Sequence, residues 1–167
     1  MANNRKPLII RNKNILGAYQ IIGGLWGLSL MVIYFLNSFD QSLISIIFSF
    51  VGAIFFGFSL YCGILCVKKE KNALALSRIN QCLQLLAFSG QNLGFLYVAG
   101  FGVFFGLDIE NGLGFSFNYN TSTLLLSFSE QSENKKIVIN LIALYLLFNF
   151  NMLLKEQKEA NVPTLEL

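Results

Sequence analysis

The sequence predicts an all-α integral membrane protein, a four-transmembrane-helix bundle with a β-hairpin in the second outer loop. Three observations carry that expectation. The chain has 167 residues, 54% of them hydrophobic and 13% charged, about half the charged share of a soluble domain. Its mean hydropathy is +0.59. A soluble chain of this size could not bury so much apolar surface, because small domains bury a small fraction of what they carry. Second, the apolar residues gather into runs near the ~20 residues a helix needs to cross the hydrocarbon core. Third, the basic residues fall almost wholly on one side of the topology those runs define. The length suits a single membrane domain, residues 1–167.

The first span is "ILGAYQIIGGLWGLSLMVIYFL", residues 15–36. It follows Arg5, Lys6, Arg11 and Lys13, as the apolar run of a signal peptide would. The run is too long for one and no A-x-A cleavage site follows, so it is read as a retained anchor. The second is "LISIIFSFVGAIFFGFSLYCGILCV", residues 43–67. The third occupies about residues 80–106, within which the glycine-rich "GQNLGFLYVAGFGVFFGLDIENGLG" begins at Gly90. The fourth is "IVINLIALYLLFNFNMLL", residues 137–154, continued by a tail over 155–167.

Four spans put residues 1–14, 68–78 and 155–167 on one side. These hold ten of the twelve basic residues, leaving only Lys135 and Lys136 opposite. The positive-inside rule then places both termini in the cytoplasm. The richness in Ile, Asn, Lys and Phe suggests an AT-rich, bacterial source, hence an inner membrane.

Residues 107–136 form the outer loop. Within it Phe115, Phe117 and Tyr119 alternate with Ser116, Asn118 and Asn120; beyond Thr121 and Ser122, Leu124, Leu126 and Phe128 alternate with Leu125, Ser127 and Ser129. Period-two alternation on both sides of a polar pair predicts a hairpin turning at 121–122. Two strands alone are marginal in water, so the hairpin is expected to lean on the helix ends or the lipid interface, as a partner-binding cap or a structural lid.

Small residues recur at helical spacing: Gly23 and Gly27 in span one, Ser49, Ala53 and Gly57 in span two, and Gly90, Gly94, Gly102 and Gly106 in span three. Such rows let helix backbones approach in lipid, within one chain or between chains of a homo-oligomer. Amides share faces too. Gln84 and Gln91 are seven residues apart, with Asn80 one turn earlier, and Asn140 and Asn151 are eleven apart. They would bond between helices or form a polar lining.

Several chemistries lack residues. No Asp, Glu, Lys, Arg or His lies in the core of any span, which disfavours ion-coupled transport; passive conduction does not require one. With no histidine, acid–base work would fall to scattered carboxylates, tyrosines or thiols, and no phosphate-binding glycine loop occurs. Cys62, Cys66 and Cys82 lack the fourth ligand zinc wants and read as small apolar residues. No catalytic site, cofactor or metal is therefore expected. The net charge of +3 is attributed to topology and not to nucleic-acid binding. The expected partners are the lipid bilayer and either further copies of the chain or a membrane complex. The function expected is that of a non-enzymatic, oligomeric scaffold or accessory subunit of a membrane complex. The alternative is a passive oligomeric channel or membrane-permeabilising effector lined by the Gln and Asn side chains.

Overall fold

The computed structural model describes residues 12–37, 43–90, 93–108, 114–127 and 136–160. Its elements are α1 (Lys13–Asn37), α2 (Leu43–Val67), α3 (Ala73–Leu85), β1 (Leu86–Ser89), β2 (Gly94–Asp108), β3 (Gly114–Ser127), β4 (Lys136–Asn140) and α4 (Leu141–Ala160).

The four-helix transmembrane bundle is corrected by this architecture. Among the described residues only α1 and α2 are long and apolar enough to cross a membrane. The third run divides into a 13-residue helix and two strands. The fourth begins as a strand through the β-branched Ile137, Val138 and Ile139 and becomes helical only after Asn140. Nor do residues 115–127 fold on themselves as a hairpin. β3 runs continuously through Thr121 and Ser122 and pairs with β2 along nearly its whole length. The alternation was a strand signal, but the polar pair marks a bend and not a turn.

α1 and α2 pack antiparallel over a seam of small residues. A Cβ on Gly17 would lie 2.8 Å from the Gly63 carbonyl oxygen, and one on Gly63 would lie 2.7 Å from that of Gly17. Further along, Gly24 meets the backbone of Leu60, and Gly27 faces the Phe56 ring. Only 22% of the most apolar stretch of each helix is buried within the protein, so most of both surfaces faces outward. Of the predicted packing positions, Gly23 and Gly27 are buried, Ala53 is half-buried, and Gly57 has no atom within 4 Å of its would-be Cβ.

α3 and α4 pack beside the hairpin. Leu16 and Cys66 share a core with Ala73, Leu74, Phe150 and Leu153. The start of α1, the end of α2, the start of α3 and the later turns of α4 therefore meet at one end. Lys13 and Lys69 line one concavity there.

The sheet is antiparallel, in the order β1–β4–β2–β3, with β1 also paired to β2. That extra pairing shows that the sheet curls. The first part of β2 pairs with β1 (Phe88 with Phe95, Ser89 with Gly94), while its later part pairs with β4 (Phe104 with Asn140 through Asp108 with Lys136). β4 closes the ring by pairing with β1. Strand β2 must bend to reach both, and it does so at a bulge between Val98 and Phe101. Gly100, at φ +104°, supplies the left-handed residue that such a bulge favours. Across the ribbon, Ser122 also has positive φ (23°). β2 and β3 together are thus one long ribbon folded at its middle.

Candidate functional site

Three features meet around the fold in this ribbon: a joint to α1, a buried amide cluster and a cavity inside the curl.

The joint is made by Gly23, Tyr19, Gly100 and Ser122. A Cβ on Gly23 would collide with the backbone nitrogen of Gly100 and lie 2.5 Å from the carbonyl carbon of Ala99. Only glycine lets α1 touch the strand backbone here. The Ser122 hydroxyl donates to the Gly23 carbonyl at 3.0 Å and accepts the Gly100 N–H at 3.0 Å. The Tyr19 hydroxyl donates to the Phe101 carbonyl at 2.7 Å and accepts the Phe101 N–H at 3.0 Å. A bulge leaves backbone groups outside the ladder, and buried backbone groups need partners; two hydroxyls supply them. Gly23 is thus a packing residue, but against a sheet and not against another helix. Ser122→Ala would strand the Gly100 N–H and is expected to cost about 1–3 kcal/mol. Thr123→Ala, which removes a local bond to Thr121 O, should stay within about 0.5 kcal/mol. Unfolding midpoints of the two variants in mixed micelles check this; equal shifts would refute the joint.

The amide cluster lies where α1, α2, α3 and β2 meet. Gln20, Ser59, Asn80, Gln81 and Gln84 are each buried to 2% exposure or less. Asn80 Nδ2 donates to Ser59 Oγ at 3.1 Å and to Gln20 Oε1 at 3.4 Å. The Tyr97 hydroxyl sits 2.8 Å from the Phe55 carbonyl and 3.3 Å from Asn80 Oδ1; with one proton to give, it donates over the shorter contact. Gln84 Oε1 accepts the Ala99 N–H at 2.9 Å. The Nε2 groups of Gln20 and Gln84 and both ends of the Gln81 amide meet no protein partner.

The predicted polar lining is not assembled as such. Gln84 is buried and holds the β2 bulge. Asn140 is buried and stands at the N-terminus of α4, where its Oδ1 accepts the N–H groups of Ile142 (3.1 Å) and Ala143 (3.3 Å) and that of Val103 in β2 (3.3 Å). This is an N-cap, a role for which asparagine is strongly preferred. Asn151 is exposed on α4. Gln91 lies outside the described residues.

The helical row of Gly90, Gly94, Gly102 and Gly106 is likewise replaced. Gly90 lies in the connection between β1 and β2, its N–H bonded to the Leu93 carbonyl at 3.0 Å. Gly94, Gly102 and Gly106 are strand residues. A Cβ on Gly94 would meet the Ser127 hydroxyl, one on Gly102 the Phe104 ring at 2.9 Å, and one on Gly106 the Ile137 carbonyl of β4.

The cavity, about 310 Å³, lies within the curl. Ala87, Leu96, Phe104 and Val138 form its apolar floor, and Asn118, Asn120, Ser127 and Lys136 contribute polar groups. The opposite face of the same ribbon is aromatic. Phe115, Phe117 and Tyr119 are exposed, as are Phe101, Phe105 and Leu107 on β2. Rings stack across the strands, Phe101 on Tyr119 (6.5 Å) and Phe105 on Phe115 (5.7 Å). On the other half of β3, Leu124 is buried against Phe56, Tyr97 and Ala99, and Leu126 is half-buried. Phe128 lies outside the described residues. The aromatic strand face is thus divided between packing on α2 and an outward surface.

Sequence reasoning missed Tyr19, Gln20, Ser59, Tyr97 and Ser122. Gln20 carried a signal: it is the lone amide in the first apolar run. Cys62 and Cys66 are buried and Cys82 is exposed; Cys66 Sγ lies 3.1 Å from Ser77 Oγ. No family model, curated protein or solved structure matches this chain.

Proposed function

We propose that the chain is a non-enzymatic scaffold or accessory subunit of a membrane complex, anchored by the α1–α2 hairpin. The observation that carries this reading is the division of the helix surfaces. The small-residue seam is used within the chain, by Gly17 against Gly63 and Gly23 against β2. What remains outward is large and apolar: Ile22, Leu25, Trp26, Val32 and Ile33 on α1, and Ile44, Ile47, Phe50, Ile54 and Tyr61 on α2. Faces of that kind suit lipid and neighbouring helices. A shallow apolar groove of about 280 Å³ between Leu28, Met31, Phe35, Ile46 and Phe50 offers such a neighbour a seat.

The basic end, with Lys13, Lys68, Lys69, Lys71, Lys155 and Lys158, belongs on the cytoplasmic side by the positive-inside rule. That orientation places the N-terminus and the end of α4 together in the cytoplasm of a bacterial inner membrane. The channel alternative drew on a Gln and Asn lining; with Gln84 and Asn140 engaged on the β2 backbone, it lacks specific support.

The mass of the protein purified in mild detergent or in nanodiscs tests the proposal. The expected result is an oligomer or a defined co-purifying membrane protein. A lone protomer under both conditions would refute it.

A further inference from the structure

The folded ribbon meets α1 at Gly23. That residue lies ten positions beyond Lys13, roughly 15 Å along the helix axis at 1.5 Å per residue. It is therefore near the middle of a hydrocarbon core about 30 Å thick. From that level the ribbon runs toward the end of the hairpin opposite the basic cluster. Leu124 and Tyr97 share a core against which Leu28, Met31, Phe48 and Val51 pack, and these four belong to the later half of α1 and the earlier half of α2. Strand pairing gathers Ser89, Gly94, Ser127, Asp108, Gly114 and Lys136 at the far rim of the curl. The sheet thus stands beside the hairpin over the outer half of its length, not beyond its end.

Its surface chemistry fits that depth. The exterior carries Phe101, Phe105, Phe115, Phe117, Tyr119 and Ile139, all exposed and none charged. The interior is mixed: Asn118, Asn120, Ser127 and Lys136 stand over a floor of Ala87, Leu96, Phe104 and Val138. An uncharged aromatic exterior, with the Asn and Lys side chains turned inward, is the pattern of strands whose outer face meets lipid. Lipid excludes unpaired strand edges. Here both edges of the curled sheet are halves of β3 (the half before Ser122 and the half after it), and the cavity lies between them. Both halves of β3 line that cavity, with Asn118, Asn120 and Ser127 beside it.

We propose that the curled sheet is inserted in the outer half of the bilayer. Acyl chains cover its aromatic exterior, and its cavity, carrying Asn118, Asn120, Ser127 and Lys136 over an apolar floor, opens on the side away from the basic end. This rests on the reading that α1 and α2 cross the membrane. It changes the nature of the subunit: the sheet is part of the membrane-embedded body, and the pocket is reached from outside.

Tryptophan quenching in proteoliposomes tests it, because Trp26 is the only tryptophan and is exposed on α1. The wild-type protein reports on α1. In a Trp26→Phe background, Phe117→Trp reports on the sheet exterior and its sequence neighbour Asn118→Trp on the interior. Phosphatidylcholine brominated in its acyl chains and aqueous acrylamide are the two quenchers. Brominated lipid should quench the wild-type protein and the Phe117→Trp reporter, and should quench the latter about three-fold more than the Asn118→Trp reporter, with acrylamide reversing that order. Leu107→Trp, on the same exterior, and Asn120→Trp, in the cavity, repeat the comparison where a first variant does not fold. Wild-type quenching by lipid with a Phe117→Trp reporter open to acrylamide alone would overturn the insertion of the sheet and leave the anchor standing. Loss of lipid quenching from the wild-type protein as well would overturn both.

Discussion

Gly23→Ala is expected to destabilise the protein by about 2–3 kcal/mol, near the upper range for overpacking, whereas Gly57→Ala should leave stability unchanged or raise it by about 0.5–1 kcal/mol. The two glycines look alike in the sequence, each at four-residue spacing in an apolar run. Their surroundings differ. A Cβ at Gly23 meets backbone atoms of Gly100 and Ala99, and backbone in a bulge held by Tyr19 and Ser122 has no rotamer into which to retreat. The ribbon would have to lift from α1, taking the Ser122 and Tyr19 hydrogen bonds with it. A Cβ at Gly57 meets nothing within 4 Å, so only the gain in helix propensity remains. Unfolding midpoints in mixed micelles on detergent titration give the comparison. Equal midpoints for the two variants would refute the contact between α1 and the sheet.

The first two helices were legible because length and uninterrupted apolarity identify them. α2 occupies the same residues, 43–67, as the second predicted run, and α1 extends the first by one or two residues at each end. The third run misled for a geometric reason. Residues four apart share a face in a helix, but any even spacing also shares a face in a strand. Gly94, Gly102 and Gly106 satisfy both rules, so the row could not distinguish them. Alternation was the discriminating signal: Phe101, Val103, Phe105 and Leu107 interleave with Gly102, Phe104 and Gly106. It was masked because the interleaved residues include another phenylalanine.

The fourth run misled because hydropathy does not register a cap. Lys136 to Asn140 reads as apolar as the helix that follows, yet three β-branched residues in a row favour a strand and asparagine favours a helix start. The hairpin expectation found the strand content of residues 115–127 but assigned the wrong partner, since the matching strand lay inside a supposed helix. The amide cluster was legible in part. Asn80 and Gln84 stood out as polar residues in an apolar context. Their partners Gln20, Ser59 and Tyr97 come from three other elements, a convergence that only the tertiary fold creates.

Gly106→Val should have the second large effect, about 3 kcal/mol or more, because it strikes the closure of the curl. A Cβ there meets the Ile137 carbonyl and lies 2.6 Å from Val138 Cα and 2.8 Å from Val138 Cγ1, all in β4. That strand has five residues and is the link between β1 and the later half of β2. Its last residue, Asn140, caps α4 and holds Val103. Pushing β4 away therefore uncaps α4 as well as opening the ring. Hydrogen exchange should show the change as faster exchange confined to β4, β1 and the first turn of α4, with α1 and α2 protected as before. Gly90→Ala is the contrast. Its Cβ would lie 3.5 Å from the nearest atom, Leu93 O, an ordinary contact, and its effect should stay within about 0.5 kcal/mol. If the four glycines instead formed one face of a transmembrane helix, Gly90 and Gly106 would stand at equivalent positions and respond alike. Separate responses, with exchange released in β4 and not along α1 and α2, would show that the closeness these glycines permit is between strands.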